Sequence, residues 1–179
     1  MQDHALALYN LSADLGQVLS QALTKELPIS GSALGKGEVS QNALCGQFQY
    51  GLLYCALEKI EINQAANQEY WAGVRAALQG IIEQQARASA DKVLEPLGQW
   101  ASQDEVARIG RAACDPLAPF VGTSLRNLEA GLNETPVAVL ASRVVKSFYA
   151  AADHSAVADR VISLAFAGIK ELFTKGGLA

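Results

Sequence analysis

The chain has 179 residues, half of them apolar and only 18% charged, and its formal net charge is −4. Lys and Arg residues form no cluster, which argues against a nucleic-acid-binding protein and against attraction to anionic membrane surfaces. The length and apolar content are sufficient for one continuous core, so we expect residues 1–179 to form a single domain.

Helical periodicity is the dominant pattern along the chain, and we predict an all-α protein without strands. Ala, Leu and Gln are frequent, and all three are good helix formers. The first helix is predicted over residues 3–26, with Leu8 and Leu15 on its inner face, and Pro28 ends it. The glycine-rich residues 28–39 are then expected to form a flexible loop.

The next segment is the most informative one, because residues 39–57 contain no charged side chain. We predict a helix over residues 40–62, with Ser40 as its N-cap. A helix that is apolar on nearly all sides is normally buried, so we place it at the centre of a bundle of six to seven helices. Its Gln and Asn side chains make it too polar for an integral membrane segment.

The remaining helices are predicted from caps and prolines. A helix after Asn67 is expected to run through Lys92 and to be interrupted by Pro96. Cap patterns predict three further helix starts, at Ser102, Asp115 and Thr135, and residues 153–155 form the break before the last helix. The helix that begins at Asp115 is predicted to continue to Gly131.

The cysteines bear on the cellular compartment. Cys45 and Cys55 lie ten residues apart on one predicted helix, roughly 15 Å by helical rise, which is too far for a disulfide. With Cys114 the count is odd, and the first residues lack the basic and apolar parts of a signal peptide. These features predict a cytoplasmic protein with unpaired thiols.

Few residue patterns point to catalysis or to cofactor binding. Residues 31–37 resemble a phosphate-binding loop, but their spacing is one residue short and Ser or Thr is missing after the lysine. His4 and His154 lie in separate segments without metal-ligand spacing, so we expect no metal and no cofactor. A nucleophilic pair of Cys114 and His154 would depend on the fold, and we interpret Cys114 as a packed thiol.

We therefore interpret the chain as a non-catalytic helical protein–protein interaction module: an assembly subunit, an adaptor or a chaperone-like partner. Its low charge density predicts a covered surface, so it would bind itself or another protein. The last helix carries an apolar stripe wider than one neighbour needs. Such stripes usually close a bundle, and the alternative is that this stripe is the candidate site for the partner. The stripe consists of Val157, Val161, Leu164, Phe166, Ile169, Leu172 and Phe173.

Two alternatives remain open. A helical carrier of an apolar small molecule or lipid would need a pocket between its helices. The aromatic residues predicted to line such a pocket are Phe48, Tyr50, Tyr54, Trp71, Trp100 and Phe120. An enzyme would instead use residues 31–37 as a mobile lid over convergent polar side chains.

Overall fold

A computed structural model describes residues 1–30, 38–97, 102–150 and 152–179, except for the side chains at positions 38, 39, 93, 95–97, 105, 108, 109, 111, 112 and 129. Within these residues the only regular elements are helices, and the six longer ones pack together, which confirms the predicted all-α bundle. The α-helices are α1 (Gln2–Glu26), α2 (Glu38–Asn63), α3 (Gln68–Leu97), α4 (Gln103–Cys114), α5 (Leu125–Glu129), α6 (Pro136–Phe148) and α7 (His154–Lys175). None of these described helices is both long enough and apolar enough to cross a membrane.

Helix α2 lies at the centre of the bundle, as the absence of charged residues over 39–57 predicts. It contacts α1, α3, α5, α6 and α7. Over residues 41–63, only Asn42 and Glu61 have exposed side chains. Phe48, in the middle of the helix, is 0% exposed. The stretch 39–57 of this helix can be surrounded by other helices because it has no charged group that has to be kept in water.

Helix α1 approaches α2 closely where α1 has a glycine. A Cβ atom on Gly16 would lie 2.9 Å from the Cys45 carbonyl oxygen and 3.1 Å from the Gln49 amide nitrogen. Both of these atoms belong to the backbone, which cannot rotate aside as the end of a side chain can. A residue larger than glycine would therefore push the two helices apart.

The single helix predicted over residues 115–131 is wrong. The chain forms a 3₁₀ turn at Ala118–Phe120 and then the short helix α5. Pro119 has no amide hydrogen to donate to a continuous helix, and Gly122 adopts a φ of +90°, which turns the backbone. These two residues together divide the segment.

Helix ends are predicted with mixed success. Thr135 caps α6, because its hydroxyl oxygen accepts a hydrogen bond from the Ala138 amide at 3.1 Å. Ser40 is not an N-cap, because α2 begins two residues earlier, at Glu38, within the predicted loop. Pro96 does not interrupt α3, which continues to Leu97, so the proline lies in its last turn.

His4 connects three helices through both of its ring nitrogens. Its Nε2 lies 2.7 Å from the carbonyl oxygen of Gly176, at the end of α7, and its Nδ1 lies 2.8 Å from the Tyr70 hydroxyl of α3. A carbonyl oxygen can only accept, so Nε2 carries the hydrogen, and in the neutral ring Nδ1 accepts from Tyr70. The histidine thus has a structural role that joins α1, α3 and α7.

A buried tyrosine holds the segment that follows α1. Tyr149 is 0% exposed, and its hydroxyl donates to the Leu27 carbonyl oxygen at 2.8 Å. The Ser30 amide donates to the Phe148 carbonyl oxygen at 2.9 Å. Burial raises the pKa of the Tyr149 phenol to about 12, because the phenolate would lose its hydration.

Because Tyr149 is buried, the free energy of unfolding is expected to decrease at alkaline pH. An unfolded tyrosine ionises near pH 10, whereas folded Tyr149 stays neutral to about pH 12. Its contribution to stability is therefore complete below about pH 10 and is lost as the pH rises towards 12, by an amount of the order of 2 kcal/mol. Urea denaturation at a series of pH values measures this decline. We expect a shallower decline in Tyr149→Phe, and equal slopes in the two proteins would contradict the assignment.

Candidate functional site

Two cavities lie on either side of residues 115–121, which we call the 115–121 segment. Each has a volume of about 280 Å³, and Asp115 and Pro116 line both of them. Helices α2 and α3 provide the opposite walls. Ligand pockets typically measure about 300–1,000 Å³, so each cavity is close to the lower end of that range and suits one side chain or a small molecule.

The 115–121 segment owes its shape to Asp115 and to its prolines. The Asp115 Oδ1 atom accepts a hydrogen bond from the Ala118 amide at 3.1 Å, which fixes the start of the 3₁₀ turn. The turn points Phe120 into the core, where it is 1% exposed. The next residue, Val121, is 74% exposed.

We call the first cavity the acidic cavity. Its apolar lining includes Leu57 and Ile82, which are almost fully buried. Tyr54 completes this wall, with its ring centroid 5.6 Å from that of Phe120 and its hydroxyl donating to the Thr123 carbonyl oxygen at 3.1 Å. Burial, more than the nearby carboxylates, raises the pKa of Tyr54.

Carboxylates predominate among the charged groups of the acidic cavity. Glu58, Glu83 and Asp115 line it, and within the described residues no Lys or Arg nitrogen lies within 4 Å of their oxygens. Arg75 also lines the cavity, but its guanidinium forms an ion pair with Glu61 at 3.3 Å. The cavity therefore combines apolar walls with a net negative charge.

We call the second cavity the Arg143 cavity. Arg143 of α6 lines it together with Gln47 and Tyr50 of α2, and its Nε donates to the Gln47 Oε1 atom at 2.9 Å. Burial lowers the pKa of Arg143 and raises that of Tyr50, because each charged form is poorly hydrated there. In the part of the chain that the structure describes, no carboxylate oxygen lies within 4 Å of this guanidinium.

The predicted stripe of α7 is mostly internal. Phe166 is 42% exposed, and Phe173 is partly buried with the Lys59 ammonium 5.9 Å from its ring centroid. The other five members are buried in the core: Val157, Val161, Leu164, Ile169 and Leu172. Of the seven stripe residues, only Phe166 and Phe173 have side-chain surface that a partner could contact. Binding at this face stays a prediction.

The aromatic residues predicted to line one pocket are distributed over several places. Phe48 and Phe120 are buried in the core. Tyr54 lines the acidic cavity, and Tyr50 lines the Arg143 cavity. These four residues thus do not surround a common space as the carrier hypothesis requires.

The other residues of the two alternative hypotheses lie elsewhere. Trp71 packs beside Tyr70 and His4, and the centroids of Trp71 and His4 are 5.6 Å apart. Trp100 and residues 31–37 lie outside the described residues. The lid hypothesis therefore stays a prediction.

The three cysteines are free. Burial raises the pKa of the Cys55 thiol to about 12, so it stays protonated. Cys114 is exposed and lines the acidic cavity, which corrects its interpretation as a packed thiol. His154 lies at the start of α7, where its Nε2 is 3.3 Å from the Ala150 carbonyl oxygen. Among the described residues no three His, Cys, Asp or Glu side chains are grouped as metal ligands.

Sequence reasoning missed both cavities as sites. The sequence pattern predicts Asp115 as a helix cap, and it does not single out Arg143. The available signal was an arginine among the apolar residues of the predicted sixth helix, where even a half-buried guanidinium needs a hydrogen-bond partner. Comparison of the chain with protein-family models, with curated proteins and with solved structures finds no match.

Proposed function

We propose that the protein is a helical interaction module whose acidic cavity receives an apolar segment of another polypeptide that also carries Lys or Arg residues. Val121 supports this most directly, because it is 74% exposed beside a cavity with a buried apolar wall. Covering an aliphatic side chain of this size contributes about 1.5–3 kcal/mol. A partner that fills the cavity would cover Val121 at the same time.

The charge of the cavity supports a basic partner. Glu58, Glu83 and Asp115 lie around one opening, without a cationic neighbour within 4 Å among the described residues. Lysines or arginines beside the apolar side chains of a partner would be attracted to these carboxylates, whereas an acidic segment would be repelled. Complementary charge would thus set the specificity, and the apolar contact would supply most of the affinity.

The experiment uses a helix-forming peptide with leucines on one face and lysines on the other, added to the ¹⁵N-labelled protein. We expect amide shifts at residues that line the acidic cavity. Val121→Ser should weaken binding about five- to tenfold, because it removes apolar area without changing charge. A peptide with glutamates in place of the lysines should bind the parent protein even more weakly than the lysine peptide binds Val121→Ser.

Val18→Ser is the matched control, because Val18 is 59% exposed on α1 and lines neither cavity. It should leave the affinity for the peptide unchanged. Binding that Val121→Ser does not weaken, or amide shifts confined to another face, would contradict the proposed function.

A further inference from the structure

We infer that the Arg143 cavity binds a small organic monocarboxylate. The polar groups on which this proposal rests, Arg143 and Gln47, do not line the acidic cavity, although Asp115 and Pro116 line both cavities. The cavity measures about 280 Å³, which suits a ligand with one ring or a short branched chain.

The first argument is the state of the guanidinium. Its Nε is used by Gln47, which leaves the two terminal nitrogens and their hydrogens for another acceptor. The planar end of an arginine matches a carboxylate through two parallel hydrogen bonds. Since no carboxylate of the described residues lies within 4 Å, a ligand would supply the missing negative charge.

The second argument concerns the body of the ligand. Ala43, Pro116 and Pro119 give the cavity apolar walls, so the ligand would carry an apolar group behind its carboxylate. Gly46 leaves room there, because a Cβ atom on it would meet only the Tyr50 ring, at 4.0 Å.

The third argument concerns the charge of the ligand. Asp115 lines the same cavity, and its carboxylate would repel every negative charge on the ligand, so one charge for Arg143 is favoured over two. A monocarboxylate satisfies Arg143 with one charge, whereas phosphate carries between one and two charges near neutral pH. We therefore assign the site to carboxylates rather than to phosphates.

Benzoate is the probe, and calorimetry with NMR detects its binding. We expect saturable binding with amide shifts at residues lining the Arg143 cavity, and at least a tenfold loss of affinity in Arg143→Met. Without benzoate, Arg143→Met should melt at the same temperature as the parent or higher, because it removes a poorly hydrated charge that has no carboxylate within 4 Å among the described residues. Arg126→Met, at an exposed arginine of α5, is the control and should bind benzoate as the parent does.

A second variant tests the site with the arginine intact. Gly46→Leu fills the open space without removing any polar group, and it should abolish benzoate binding while improving the helix propensity of α2. Peptide binding at the acidic cavity should survive in both variants. The proposal is overturned by benzoate binding that persists in Arg143→Met or Gly46→Leu, by the absence of saturable binding, or by inorganic phosphate binding as tightly as benzoate.

Discussion

Replacing Phe48 with alanine is expected to lower the free energy of unfolding by about 3–5 kcal/mol. The ring is 0% exposed on α2, the helix that α1, α3, α5, α6 and α7 contact. Its removal leaves a void that several helices would have to close together, and helices held by their other contacts relax only partly. Urea denaturation followed by circular dichroism measures the loss.

Phe166→Ala is the matched control, because this phenylalanine of α7 is 42% exposed. It should cost no more than about 1 kcal/mol, since much of the ring is already in contact with water. The large difference between the two substitutions depends on the central position of α2. Equal losses would show that α2 is not enclosed as described.

Gly16→Ala is expected to destabilise the protein by about 1–3 kcal/mol, although alanine is the better helix former. The added Cβ atom would lie 2.9 Å from the Cys45 carbonyl oxygen, so α1 and α2 would have to separate. Thermal and urea denaturation of the two proteins provide the comparison.

Gly80→Ala, at a glycine of α3, is expected to change the free energy of unfolding in the opposite direction. This residue is exposed, and a Cβ atom on it would meet no heavy atom within 4 Å. Alanine should therefore stabilise the protein by about 0.5–1 kcal/mol through helix propensity and a less flexible unfolded chain. If Gly16→Ala were stabilising as well, the close approach of α1 to α2 would be disproved.

The fold class could be predicted because its signals are local. The uncharged residues 39–57 predicted a buried helix, and Thr135 followed by Pro136 predicted the start of α6. The prediction over residues 115–131 was wrong for a local reason as well. Apolar spacing was given more weight than Pro119 and Gly122, which change the backbone irrespective of spacing.

The stripe of α7 shows a different limit. Its width is compatible with closure of the bundle and with an external partner, and α7 packs against α1, α2 and α6 within the same chain. A helix with several internal neighbours needs a broad apolar face. The sequence pattern gives the width of such a face, but it does not give the number of helices that share it.

The candidate site could not be predicted because its parts meet only in the fold. Arg143 and its acceptor Gln47 are 96 residues apart. Whether a guanidinium meets a carboxylate, an amide or an open cavity depends on how three helices pack, and no local spacing encodes that. The same holds for Gly16, whose importance comes from the backbone of another helix.

The wall between the two cavities begins at the end of α4. Helix α4 packs against α3 and, within the described residues, has no comparable contact with the central helix α2. Ala113 and Cys114, at the end of α4, each line one of the cavities. Local unfolding requires the least free energy where an element has few neighbours. Helix α4 and the 115–121 segment would therefore be able to move while α2 stays enclosed. Substitutions in α4 would then change access to the two cavities with little effect on the free energy of unfolding.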